Sequence, residues 1–145
     1  QPRHITLDPG GPERDLGPER VPYMWPFRTL LDSGATLAFG TDSPVTDIDP
    51  IDAVYTAVTR RDADTHEPLE GWLPEERITL AEALRAYTAG SAAAAQRADE
   101  LGQLASGMFA DIVVLDPNPF ELAPDDLQQA KVQATYVAGK KVYER

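Results

Sequence analysis

Apolar positions along this chain recur with two different spacings, and the change comes near Gly102. Upstream, Leu80, Ala83, Leu84 and Tyr87 follow one another at intervals of three and four, as one face of a helix does. Thr79 and Glu82 open that helix as a T-x-x-E capping box. Gly90 is expected to interrupt it, and "SAAAAQRA" to start another short helix. Ile51, Val54, Tyr55 and Val58 form a second apolar stripe, with Asp49 as N-cap and Pro50 at the first helical position. A third, shorter helix is predicted in "MWPFRTLLDSG": Pro26 suits the first turn, Phe27, Leu30 and Leu31 share a face, and Gly34 ends it. "ATLAFG" is short, apolar and closed by glycine, the pattern of a strand buried on both faces. The prolines and glycines of residues 8–22 predict a loop without regular structure, and residues 62–77 a polar connection. Downstream of Gly102, "ADIVVLD" reads as a strand, "PNP" breaks it, and "APDDLQQA" allows one or two helical turns. "VQATYV", "AG" and "KKVY" read as a closing hairpin, with Ala-Gly a weaker turn signal than Asn-Gly. There is no internal repeat. The first part is α/β, the tail mostly β.

Composition narrows the function classes. At 145 residues with 42% apolar content, the chain is one domain or a piece of something larger. Its formal charge, 13 − 24 = −11, argues against a nucleic-acid or anionic-membrane partner, since both would repel it. The absence of cysteine removes disulfides and thiolate metal sites and agrees with a cytoplasmic protein. No apolar run approaches the roughly 20 residues of a membrane span. The opening "QPRHITLDPGGPERD" has neither an initiator Met nor an apolar signal core, and reads like the middle of a longer chain.

Candidate chemistry concentrates on Asp42. It follows the apolar run directly, and Asp49 already supplies the next helix cap, so Asp42 has no capping duty. At the carboxyl end of a parallel strand a side chain enters the active-site mouth; a turn aspartate is the plainer alternative. An EF-hand register fails, because it puts Asp47 at the required glycine and Ala53 at the required glutamate. Asp47 and Asp49 are read as loop and cap. Of the two histidines, His66 lies in a polar connection and reads as a surface residue, whereas His4 either frays at the terminus or faces the same mouth as Asp42. A catalytic zinc takes about three protein ligands, which a chain with two histidines and no H-x-H cannot supply in the ordinary way. A Ser-His-Asp triad through Ser33, Ser43 or Ser91 lacks the G-x-S-x-G elbow.

The segment "GQLASGMFADIVVLDPNPF" resembles the G-x-L-x-x-G-x-x-A-D-hydrophobic-V-V-L-D signature near the end of amidohydrolase-superfamily chains. "LLDSGATLAFGTDSPV", "DPIDAVYTAVTRR", "ITLAEALRAYTAGSAAAA" and "TYVAGKKVY" are similar, in order, to blocks of amidohydrolase family 3, the branch with N-substituted formamide deformylases and, further off, D-aminoacylases. "QPRH" and "GPERVPYMWPFRTLL" resemble what precedes the last barrel strand there. The resemblance implies an α/β fold: residues 1–100 as the last βα units of a (β/α)8 metallo-dependent hydrolase barrel, and 101–145 as strands of a small accessory β domain. It implies Asp42, in "GTDSP", as the metal-proximal acid/base at the end of strand eight. It implies His4 near the end of strand seven, touching substrate. Arg20 and Arg60 fall in recurring positions for which surface or salt-bridge roles serve as well, and Asp111 with the glycines of 102–116 looks structural.

What departs from the family is large: the H-x-H, the bridging lysine or glutamate, and most of the strands are absent from a chain well short of the roughly 250 residues of a full barrel. The expectation is therefore the C-terminal part of a zinc-dependent hydrolase of non-peptide C–N bonds, inactive alone. It implies a small-molecule amide substrate, the N-terminal part of the enzyme as its structural partner, and assembly as a homo-oligomer. A non-catalytic scaffold or a cyclic-amide hydrolase of the same superfamily are the alternatives.

Overall fold

The computed structural model describes residues 1–145. Its first helix, α1 (Gly11–Leu16), lies inside the segment expected to be irregular. The glycines and proline that prohibit a helix interior are tolerated at its ends. Pro12 occupies the first turn, where its missing N–H costs nothing, and Gly10 and Gly17 flank the helix at φ 77° and 74°. Helix α2 (Phe27–Asp32) has Pro26 one position earlier than expected, as its N-cap.

Helix α3 (Pro50–Thr59) begins as the sequence indicates: the Asp49 carboxylate accepts the Ile51 N–H at 2.9 Å. The stripe reading, however, is too narrow. Ala53, Thr56, Ala57 and Thr59 are buried with Ile51, Val54 and Tyr55, because the helix is central rather than superficial. Val54 and Ala57 join Ile5, Phe27, Phe39, Ile78, Ala83 and Ala86 in the main core, while Tyr55 packs with Ala63 and Leu127 on the other side. Small residues between the large ones let neighbours approach from both directions.

Helix α4 (Leu80–Arg85) carries the full capping box. Thr79 Oγ1 accepts the Glu82 N–H at 3.3 Å, and the Glu82 carboxylate accepts the Thr79 N–H at 2.7 Å. The same carboxylate takes two donors from Arg28 at 2.9 and 3.1 Å, joining α2 to α4. Those Arg28 bonds, followed by the Thr79 N–H, hold the Glu82 carboxyl down to about 2. A carboxylate depressed on folding stabilises the fold above its ordinary value of 4.5 and loses that contribution as pH falls through the folded value. The melting temperature is therefore expected to fall between pH 4.5 and pH 2, and Glu82→Gln to flatten that decline; parallel slopes in thermal melts of the two proteins would contradict it.

The chain does not break at Gly90. It passes through a π-helical turn (Ala86–Gly90) straight into α5 (Ser91–Ala94). Gly90 is required for approach instead: a Cβ there would overlap the Leu37 carbonyl oxygen.

"ATLAFG" is not a paired strand. It belongs to no sheet, and of its six residues only Phe39 is buried, with Ala35, Thr36 and Ala38 exposed. Sequence pattern makes a segment fit for a sheet, but neighbouring strands make the sheet, and no strand pairs with this one. The sheet that does form is an antiparallel meander in the tail, β1 (Ile112–Asp116), β2 (Lys131–Val137) and β3 (Lys140–Glu144), in the order β1-β2-β3. Its hairpin turn puts Ala138 at φ 49° and Gly139 at φ 78°. The unfavourable left-handed alanine is held from outside: Asp111 Oδ1 accepts the Ala138 N–H at 2.7 Å and the Ala110 carbonyl accepts that of Gly139 at 2.9 Å. Asp111 is thus structural, as expected. The sheet leaves Val113, Val114, Val137, Val142 and Tyr143 exposed. No helix is long and apolar enough to cross a membrane.

Candidate functional site

Asp42 stands at the end of residues 35–42, a stretch without regular secondary structure, in the left-handed region at φ 58°. That conformation is uncommon for a residue with a side chain, although aspartate adopts it more readily than most. The turn is fixed by its backbone: the Asp42 carbonyl accepts the Val45 N–H at 2.8 Å, and the Thr46 hydroxyl bonds to the Thr41 carbonyl. The carboxylate itself has no hydrogen-bond donor from the protein and is 52% exposed. A carboxylate with free lone pairs at a fixed position is available to accept a proton from elsewhere. Asp47 and Asp49 behave as loop and cap, the Asp47 carboxylate accepting the Asp49 N–H at 3.3 Å.

His4 is brought to the same place. Its Nε2 lies 3.6 Å from Asp42 Oδ2, beyond hydrogen-bond distance, and is buried with no hydrogen-bond partner. The histidine sits in a 3₁₀ turn (Pro2–Thr6) whose Ile5 anchors in the main core. His66 is exposed, as expected of a surface residue, with its ring 5.3 Å from that of Tyr55. Arg20 is exposed.

Arg60 departs from both roles foreseen for it. Its side chain is fully buried and forms no salt bridge, with the guanidinium 5.4 Å from the Phe27 ring centre and 5.3 Å from that of Trp72. Nε donates to the Trp72 carbonyl at 2.9 Å and Nη1 to the Trp25 carbonyl at 3.0 Å. Burial pushes its pKa down to about 10, which still leaves it charged near neutrality. Nothing in sequence spacing marks such a residue.

Metal chemistry can be tested on the donor set. Nowhere do three His, Asp or Glu side chains converge into a group able to hold a metal ion. His4 and Asp42 supply two donors, one short of the usual protein complement of a catalytic zinc. These residues alone do not fit a complete metal centre. A concavity of about 460 Å³ beside Asp62 and Trp72 is lined by neither His4 nor Asp42, whereas His4 lines one of about 300 Å³ with Leu16 and Trp25.

Comparison with known proteins decides the family. The amidohydrolase family model matches residues 1–143, nearly end to end. The chain belongs to the amidohydrolase family. This amidohydrolase chain is 40% identical over 144 residues to Protein LONG AFTER FAR-RED 3 of Arabidopsis thaliana, covering 99% of itself and 24% of that protein. It is 37% identical over 122 residues to the N-substituted formamide deformylase of Arthrobacter pascens, covering 84% of itself and 22% of the relative. It thus spans about a quarter of the length of these curated relatives. Among solved structures it is similar in fold to an amidohydrolase from Thermotoga maritima MSB8, with a TM-score of 0.60 at 21% identity over 84% of this chain and 26% of that one.

Proposed function

We propose that this chain is the C-terminal part of a longer metal-dependent amidohydrolase that cleaves non-peptide C–N bonds, with Asp42 as its proton-transfer residue. The observation carrying this reading is the placement of Asp42: a carboxylate with no protein donor, on a fixed left-handed turn, next to a histidine nitrogen that is buried and unpartnered. Asp42 takes a proton as water oxygen bonds to the amide carbon. It gives that proton to nitrogen as the C–N bond breaks, so the products are a carboxylic acid and a free amine. His4 faces the same space and contacts the substrate. Zinc, by the family resemblance, would be held by Asp42 together with residues outside 1–145 and would supply an activated water.

In this reading residues 1–100 complete a barrel and 101–145 a small β domain. The exposed valines of the sheet meet the remainder of the enzyme, and the whole is a cytoplasmic homo-oligomer. A similarity to N-substituted formamide deformylase favours open-chain formamides over cyclic amides, with N-acyl amino acids a further open-chain class to test. A non-catalytic role remains the second reading, since the relative with the higher identity bears a name that specifies no reaction. Amine release by the full-length protein from formamides, N-acyl amino acids and cyclic amides separates these. Turnover of open-chain substrates, abolished by a chelator and restored by zinc, is expected. Turnover of cyclic amides alone would change the substrate class, and no turnover of any would favour the scaffold.

A further inference from the structure

The run that carries Asp42 has no strand neighbour to hold it, yet it is fastened by a set of contacts from one side. The Phe39 N–H donates to the Ala86 carbonyl at 3.1 Å. The Tyr87 hydroxyl donates to the Gly40 carbonyl at 3.2 Å, and the Ser91 hydroxyl lies 2.7 Å from the Phe39 carbonyl and 3.0 Å from that of Ala86. Gly90 lets this part of the helix close on the Leu37 carbonyl without a Cβ between them. All four residues belong to the π-helical turn or the residue after it. Wide turns of this kind are rare and are often found at functional sites. The Tyr87 and Phe39 rings meet edge-to-face at 5.6 Å, so the hydroxyl is aimed by packing as well as by the backbone. Burial pushes the Tyr87 phenol up, so it stays a donor.

We infer that Tyr87 and Ser91 are positioning residues for Asp42: their hydroxyls clamp the two carbonyls immediately before Thr41 and so set where the Asp42 carboxylate stands. The inference rests on the proton-transfer reading of Asp42. It assigns the π turn a purpose, since side-chain hydroxyls there replace the backbone ladder on this flank of residues 39–40. Neither hydroxyl touches Asp42, so the effect passes through the main chain, and misplacement of a reacting group by even a fraction of an ångström is costly in rate.

The test is a double-mutant cycle in the full-length protein, combined with amide hydrogen exchange. Tyr87→Phe removes one oxygen and keeps the packed ring; Ser91→Ala serves as the independent second variant. Each is expected to lower kcat about tenfold with KM within about twofold. In an Asp42→Asn background the same substitutions are expected to cost nothing further, because they act through the missing carboxylate. Exchange of the Phe39 amide, bonded to the Ala86 carbonyl, should speed up in both variants while that of α3 does not. Unchanged kcat, an equal loss in both backgrounds, or unaltered exchange at Phe39 would overturn the inference while leaving Asp42's role intact. An Asp42→Asn protein as active as wild type would end both.

Discussion

Asp42→Asn in the full-length protein is expected to lower kcat by roughly 10²–10⁴-fold, the usual cost of losing a general acid–base residue, while the fold survives. The structure makes this substitution unusually clean. The carboxylate accepts no hydrogen bond from the protein, so none is lost, and the side chain is half exposed, so no cavity is left. Asparagine also tolerates the left-handed conformation that this position requires. What changes is chemical: a carboxamide of nearly the same shape does not accept the proton of the attacking water, and it is a weaker metal ligand than a carboxylate. KM should change little, since the missing interaction belongs to the transition state. A kcat near the wild-type value would return Asp42 to the status of a turn residue.

Arg60→Ala is expected to destabilise the protein by about 3 kcal/mol, within the range seen for truncating large buried side chains. Arg60 ends α3 at φ 63° and fills the space between the Phe27 and Trp72 rings. Its two carbonyl partners, Trp25 and Trp72, lie on separate loops, so one side chain ties both to the end of the central helix. Alanine would leave a void beside two aromatic rings and the Trp72 carbonyl without a donor, while the Trp25 carbonyl would keep only the Phe27 N–H. Lysine would not substitute well, because one ammonium lacks the planar fork that bonds two carbonyls and stacks between rings. Urea unfolding of the purified protein measures this; a loss below about 1 kcal/mol would show that the loops are secured without Arg60.

Local signals were legible in the sequence and long-range ones were not. The Asp49 cap, the Thr79–Glu82 box and the Ala138-Gly139 hairpin were readable because each is completed within a few residues. The run before Asp42 has the pattern of a buried strand, yet no strand pairs with it, and a segment's own pattern does not specify its neighbours. Helix α1 is hidden in the sequence because the prolines and glycines that signal a break stand at its ends. Asp42 and His4 were singled out by the sequence, and the structure places them 3.6 Å apart. Arg60's burial, the path of the chain through Gly90, and the hydroxyls of Tyr87 and Ser91 on the Asp42 run depend on contacts across 35 to 53 positions. Spacing along a chain carries no record of such contacts. Tyr87 was read only as an inward helix position, which it is, and its hydroxyl was the missed part.

The role proposed for Asp42 has two halves: it takes a proton, and it returns that proton to the leaving nitrogen. An alkyl amine leaves only when protonated, whereas a nitrophenolate leaves without a proton. The decisive measurement is the kcat ratio of wild type to Asp42→Asn in the full-length protein, for an N-alkyl amide and for the nitrophenyl ester of the same acid. The account predicts that the amide's ratio exceeds the ester's by at least about tenfold, since only the amide needs the returned proton. Equal ratios for the two substrates would contradict it.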